Sequence, residues 1–194
     1  MSLIETAIAE RRSCPKLEAP APDAAVLDRI LGAAITAPDH GRLKPWRFLV
    51  IEDDGLSALG ELFVAAESSA GDVSEAQEKT LRGHPHRAPM ILVAVASIEP
   101  EHKIPVVEQQ VAVGCAVQNA LLAAEAAGFG AYWRTGPMAY HPKVKSGLGL
   151  GANEEIIGFV YIGSPGGEAG KRPSQSIAEV TQRWAGTDKI LPWK

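Results

Sequence analysis

Residues Met90 to Ala96 read MILVAVA, a run with no polar side chain in it. Its length and its valines predict a β-strand, and apolar residues at odd and even positions alike require burial on both faces. A strand covered twice lies inside a sheet with helices packed on either side. Outward from it, Trp46 to Ile51 (WRFLVI), Ile156 to Ile162 (IIGFVYI) and the short Ala131 to Arg134 (AYWR) read as further strands. Helices are predicted between them. Ser2 and Glu5 form a capping-box pattern before a first helix running to about Arg11 and Arg12, and Asp23 caps a second that Pro38 stops. A third passes through Leu56, Leu59, Leu62 and Phe63, and Pro142 to Leu148 makes a short one.

Val106 to Gly128 is helical in length and rich in small residues, with Gly114, Ala116, Ala120, Ala123, Ala124 and Ala127 allowing a second helix to come close. It fits either a central helix within one domain or a helix shared between the core and a dimer interface. Ser68 to His86 is polar with weak periodicity and reads as a mobile lid or loop. Helices interleaved with a few strands give an α+β or α/β domain. We expect a single domain over residues 1–194, with 166–194 as an extended C-terminal tail carrying one short helix.

Composition narrows the function. With 194 residues, 46% hydrophobic and 22% charged, the chain has material for an ordinary core, and its net charge of −4 argues against a dedicated nucleic-acid binder. Cys14 and Cys115 are far apart and fit neither a disulfide framework nor a CxxC pair, so they read as reduced thiols of a cytoplasmic protein. The N-terminus has no secretory pattern and no apolar run approaches a membrane span.

Standard catalytic motifs are absent. No GxGxxG follows a strand, and there is no Walker loop, HExxH, CxxC or G-x-S-x-G. His84-Pro85-His86 lacks a third ligand, so no metal site is expected, and neither Glu108 nor Glu125 has a partner for paired-carboxylate chemistry. Arg11-Arg12-Ser13 could grip a phosphate through guanidinium forks and a hydroxyl, or could serve the dipole at a helix C-terminus. The loop Ala37 to Trp46 carries His40, Arg42 and Lys44 between prolines, suited to a planar polar ring or a phosphate tail, or simply solvated. Trp133-Arg134-Thr135-Gly136-Pro137 follows a strand and could hold a backbone amide at a fixed point.

In order, these segments resemble the nitroreductase family: a helix ending in Arg11-Arg12-Ser13, Ala37-Pro38-Asp39-His40 leading to Pro45-Trp46-Arg47-Phe48, Ala88-Pro89 before Met90, the Ala-rich helix, Gly128 to Gly136 (GFGAYWRTG), and Gly158 to Pro165 (GFVYIGSP). The likeness runs from about Leu3 to Pro165 and is greatest to the short, compact NAD(P)H nitroreductases. It implies a mixed, mostly antiparallel central sheet wrapped by helices, in an intertwined homodimer with an FMN in each of two clefts between subunits.

Carried over by that resemblance, Arg11, Arg12 and Ser13 hold the flavin phosphate, ribityl chain or the ring's polar edge, and Thr36 and His40 reach it from the other subunit. Trp133, Arg134, Thr135 and Gly136 line the isoalloxazine, with the Thr135 amide donating to N5, and Ala123 to Gly128 match a stretch assigned to the nicotinamide cofactor. This chain has Pro15, then Lys16, where a basic residue often stands. It has Lys44 where many members have Gln, which could pair with the flavin O2/N1 edge or face solvent, and Arg172 beside Lys171 where members bring a basic pair to the phosphate. No side chain is expected to be catalytic, since flavin N5 carries the hydride. The implied activity is ping-pong transfer from NADH or NADPH to nitroaromatics, quinones or similar electron-poor small molecules. A flavin-dependent dehydrogenase or reductase of another metabolite and a non-catalytic flavin-binding dimer are the alternatives.

Overall fold

The computed structural model describes residues 1–69, 71–167 and 170–193. Ala70, within the expected 68–86 loop, and Glu168, Ala169 and Lys194, within the expected tail, lie outside the described residues. In chain order the elements are α1 (Leu3–Glu10), β1 (Leu17–Glu18), α2 (Ala24–Ala34), β2 (Trp46–Glu52), α3 (Asp54–Glu67), α4 (Glu75–Gly83), β3 (Met90–Ser97), α5 (Val106–Ala126), β4 (Gly130–Arg134), α6 (Pro137–Tyr140), α7 (Pro142–Gly147), β5 (Glu154–Pro165), α8 (Ile177–Val180), β6 (Gln182–Trp184) and β7 (Ile190–Pro192).

The MILVAVA strand is interior, as its composition demands: β3 lies between β2 and β5, antiparallel to both, while β4 and β1 also pair antiparallel with β5. Alternation along β3 builds two cores. Ile91, Val93 and Val95 enter one with Leu59, Phe63, Val144 and Phe159, on the side of α3, α6 and α7. Leu92, Ala94 and Ala96 enter the other with Ile30, Val113, Val117 and Ala120, on the side of α2 and α5. Small side chains on α5 face this second core, so Ala116, Ala120 and Ala124 are buried. Its outer face leaves Val107 and Val111 exposed.

The predicted caps form. Ser2 and Glu5 make the reciprocal box at α1, and the Asp23 carboxylate accepts the Val26 N–H at the start of α2. Gln109, the buried polar side chain of α5, is satisfied by Glu99 N–H and by the carbonyls of Glu99 and Ile104.

Three expectations are corrected. Within Ser68 to His86, expected as a loop, Glu75–Gly83 is helical. The helix is mostly polar, with Leu81 as its large apolar side chain against the core, and so short an apolar face hides its period. What supports it is a second capping box, Ser74 with Gln77, and Arg82, which bridges to Glu78 of its own helix and Glu61 of α3 at 2.7 Å each. The first helix stops at Glu10, and Arg11 turns out of it at φ −51°, ψ 128°. The tail adds a hairpin, β6 against β7, beyond its expected short helix.

Arg47 on β2 and Glu154 at the start of β5 form a two-pronged bridge, with both oxygen–nitrogen distances 2.7 Å. The Arg47 fork, followed by the Gly151 N–H and the Ser97 hydroxyl, holds the Glu154 carboxyl down at about 2 from an ordinary 4.5, against the opposing effect of burial. A depressed carboxylate stabilises the fold above its unfolded value and loses that contribution as pH falls from about 4.5 toward 2. Arg47 is partly solvent-exposed, so screening reduces the full conversion to about 1–2 kcal/mol. Glu154→Gln is expected to lower unfolding free energy by that amount at pH 7 in urea titrations, with the gap to the parent protein closing toward pH 2.

Candidate functional site

Two clefts adjoin on the sheet side that carries Tyr132 and Arg134. The first forms where α1 ends. The Arg11–Ser13 turn is tied to β4, with Ser13 bridging Ala131 and the Cys14 N–H donating to the Ala131 carbonyl at 2.9 Å. The tail returns over it, and an Arg172 Nη donates to the Arg11 carbonyl at 2.7 Å. The result is a cleft of about 390 Å³ lined by Arg11, Arg12, Ser13, Lys171 and Arg172, with Tyr132 at one side and no carboxylate in its wall among the described residues.

The two arginines of the turn differ. Arg12 bends back, and one Nη donates to the carbonyls of Ala9, Glu10 and Arg11 at 2.6, 2.8 and 3.0 Å, satisfying the open end of α1. Arg11 makes no such contact among the described residues, and its guanidinium is available to the cleft.

Tyr132 also borders the second cleft, a cavity of about 800 Å³. Phe63, Phe159, Met138 and Leu81 give it apolar walls, and Arg134, Arg87, His84 and Tyr161 give it a polar side. Thr135 lines it where the chain leaves β4, and Gly136 makes that turn at φ 102°, a conformation that L side chains rarely adopt. Burial, then the charges of Arg87 and Arg134, hold the His84 imidazole below its ordinary proton affinity. Burial raises the Tyr161 phenol, with the same two arginines opposing it.

Period-two geometry separates residues that are neighbours in sequence. Trp133 points to the opposite face from Arg134, where its indole donates to the Ile157 carbonyl at 3.2 Å and packs near Gly114 of α5. It lines neither cleft. Thr36, His40 and Lys44 also lie outside both. The Thr36 hydroxyl donates to the Ala33 carbonyl at 2.7 Å, with the Asn119 amide near it. The His40 Nδ1 sits 2.6 Å from a Glu108 carboxylate oxygen over a shallow cleft on α5. Lys44 takes a left-handed backbone conformation, and its N–H donates to Asp39 at 2.6 Å. Of the Ala123–Gly128 stretch, Ala123 and Ala124 pack in the second core, and Glu125 reaches a small cleft beside Arg12 and Cys14.

Tyr132, Tyr161, His84 and Arg87 were not among the expected site residues. Alternation along β4 and β5 was the signal for the tyrosines. For His84 and Arg87 the signal was the capping box that starts α4, since that helix delivers both to the cavity. No group of His, Cys, Asp and Glu suited to a metal ion occurs among the described residues. Among the described residues no helix is long and apolar enough to cross a membrane.

Known proteins share this fold. A profile described as "Nitroreductase family" matches residues 8–164. The chain is 40% identical over 155 residues to "Putative NAD(P)H nitroreductase YdjA" of Escherichia coli (strain K12), covering 80% of this chain and 84% of that one. It is 38% identical over 160 residues to "Putative NAD(P)H nitroreductase" of Haemophilus influenzae, covering 82% of this chain and 86% of that one. Among solved structures, a nitroreductase-like family protein from Bacillus cereus superposes with a TM-score of 0.84 at 25% identity, over 96% of this chain and 98% of that one. A Desulfovibrio desulfuricans structure, described as a "putative nitroreductase in complex with fmn", superposes with a TM-score of 0.73 at 26% identity, over 93% and 96%. The agreement takes in the turn after α1, the central strands and the segment that leaves β4, and so this chain belongs to the nitroreductase family.

Proposed function

We propose that this protein is an FMN-dependent oxidoreductase that takes hydride from NADH or NADPH and passes electrons to nitroaromatics, quinones or similar electron-poor small molecules. The observation that carries this reading is the junction at Tyr132, where a small cleft lined by arginines, a lysine and a serine opens beside a larger cavity walled by rings. That is the donor set an FMN requires: cations and a hydroxyl for a phosphate, then apolar and aromatic surface for a planar ring. The related structure from Desulfovibrio desulfuricans, described as an FMN complex, supports it.

In this reading Arg11, Ser13, Lys171 and Arg172 hold the phosphate, and Arg12 shapes the turn that presents them. Arg134, Thr135 and Gly136 border the ring, with the Thr135 backbone N–H assigned to N5. Bound FMN supplies the hydride chemistry, so the side chains need only bind, orient and exclude water. Reductant and oxidant share the one cavity and enter in turn, which is ping-pong behaviour.

The working form is a homodimer in the cytoplasm. Leu3 and Ile4 of α1 are 91% and 73% exposed, and Val107, Val111, Trp184 and Ile190 present further apolar surface, all of which a second copy would cover. Thr36, His40 and Lys44, which line neither cleft in one chain, then serve the partner's flavin.

The deciding measurement is the visible spectrum of purified protein, with release and identification of its chromophore. One FMN per chain, bleached anaerobically by NADH or NADPH, is expected. Protein that stays colourless after addition of FMN overturns the assignment.

A further inference from the structure

Arg134 is held by rings and not by a carboxylate. Its guanidinium carbon lies 3.9 Å from the Tyr132 ring centroid and 5.6 Å from that of Tyr161. Its Nε is buried and has no hydrogen-bond partner among the described residues. Arg87 enters the same cavity from the turn after α4, close enough that its charge and that of Arg134 both act on His84 and Tyr161. Glu67 is the carboxylate in the lining, and it forms no ion pair with either arginine among the described residues. Two guanidinium groups therefore share a ring-walled cavity without an ion pair among the described residues, one of them with a buried donor unmet. A buried donor left unmet is costly, so a shift of the Arg134 side chain that brings this N–H to a ligand oxygen is favoured.

We propose that Arg134, Arg87 and His84 form an anion-binding end of the acceptor cavity, so that the enzyme favours aromatic acceptors bearing a carboxylate or a comparable anionic group. Phe63, Phe159 and Met138 take the arene, and the guanidinium groups take the charged oxygens in a forked geometry. Burial keeps the Tyr161 phenol protonated, so its O–H is a further donor to the same group. Lower pH strengthens the site, because His84 gains a proton in the same cavity wall as the two arginines. The assignment rests on the flavoenzyme reading for its chemistry, but the binding preference belongs to the protein's own side chains.

The test compares 4-nitrobenzoate with its neutral isostere 4-nitrobenzamide, by calorimetric binding to the FMN-loaded protein and by kcat/KM with NADH or NADPH. The benzoate is expected to be favoured about tenfold or more, charge-assisted pairs being the stronger ones, with the ratio falling as salt is raised. Arg87→Gln, at an exposed position, is expected to cut the ratio severalfold in both measurements. Equal affinities in the parent protein overturn the proposal. So does an Arg87→Gln protein that keeps the parent ratio while binding FMN more weakly, which gives the cluster to the flavin. Should the protein refuse FMN altogether, the flavoenzyme reading fails, and calorimetry on the flavin-free protein still decides: benzoate preference supports the anion site and its lack overturns it.

Discussion

Arg11→Ala is expected to weaken FMN binding by about 10- to 100-fold, since a charge-assisted hydrogen bond to a phosphate is worth about 1.5–3 kcal/mol and each 1.4 kcal/mol is a factor of ten. Arg11 shares the basic cleft with Ser13, Lys171 and Arg172, and its guanidinium has no other hydrogen-bond or ion-pair partner among the described residues. Its backbone carbonyl anchors Arg172 whatever the side chain, so the substitution removes one charge without releasing the tail. Arg12→Ala is the informative contrast. That guanidinium closes the end of α1, and its loss is expected to lower stability by about 1 kcal/mol while affecting FMN less than Arg11→Ala does. Titration of flavin fluorescence against each variant, with urea unfolding beside it, reads both effects. Arg11→Ala protein with the parent affinity rules out the basic cleft as the phosphate site.

Gly158→Ala should cost about 3 kcal/mol or more, within the range for overpacking a tight core. A Cβ at this position falls on the Trp133 indole, meeting both Nε1 and Cδ1, and lies 3.0 Å from the Arg134 carbonyl oxygen. Trp133 cannot move aside cheaply, because its Nε1–H is bonded to Ile157 and its ring fills the space next to Gly114. The strain must therefore displace β4, and with it Arg134 and Thr135 on the cavity wall. Loss of flavin retention is expected to accompany loss of stability. Trp133→Ala vacates the contested space, so the double variant should be more stable than the two single costs added together. Strictly additive costs in urea unfolding would sink the claim that indole and glycine share this volume.

Local chemistry explains what was legible from the chain alone. The MILVAVA strand had to be interior because no face of it tolerates water, and β3 is buried between β2 and β5. Ser2 with Glu5 and Asp23 marked helix starts because a capping side chain bonds an N–H only a few residues away. The small residues of α5 admitted two readings, and its structure as a single chain accounts for the buried face only.

The site was less legible, for two reasons. The first is face. Trp133 and Arg134 are adjacent in sequence but point to opposite sides of β4, so a segment expected to line one cavity divides between the cavity and the α2–α5 core. Tyr132 shares the Arg134 face by the same alternation. The second reason is distance along the chain. Nothing near Arg11 in sequence says that Arg172 will donate to its carbonyl, or that Arg12 will turn back onto Ala9 and Glu10 and leave Arg11 to the cleft. Residue types and local spacing thus determined the strands, the caps and the supply of cations. Only the tertiary structure decided which cations meet in one cleft, because that depends on side-chain direction and chain return, and neither has a local signature.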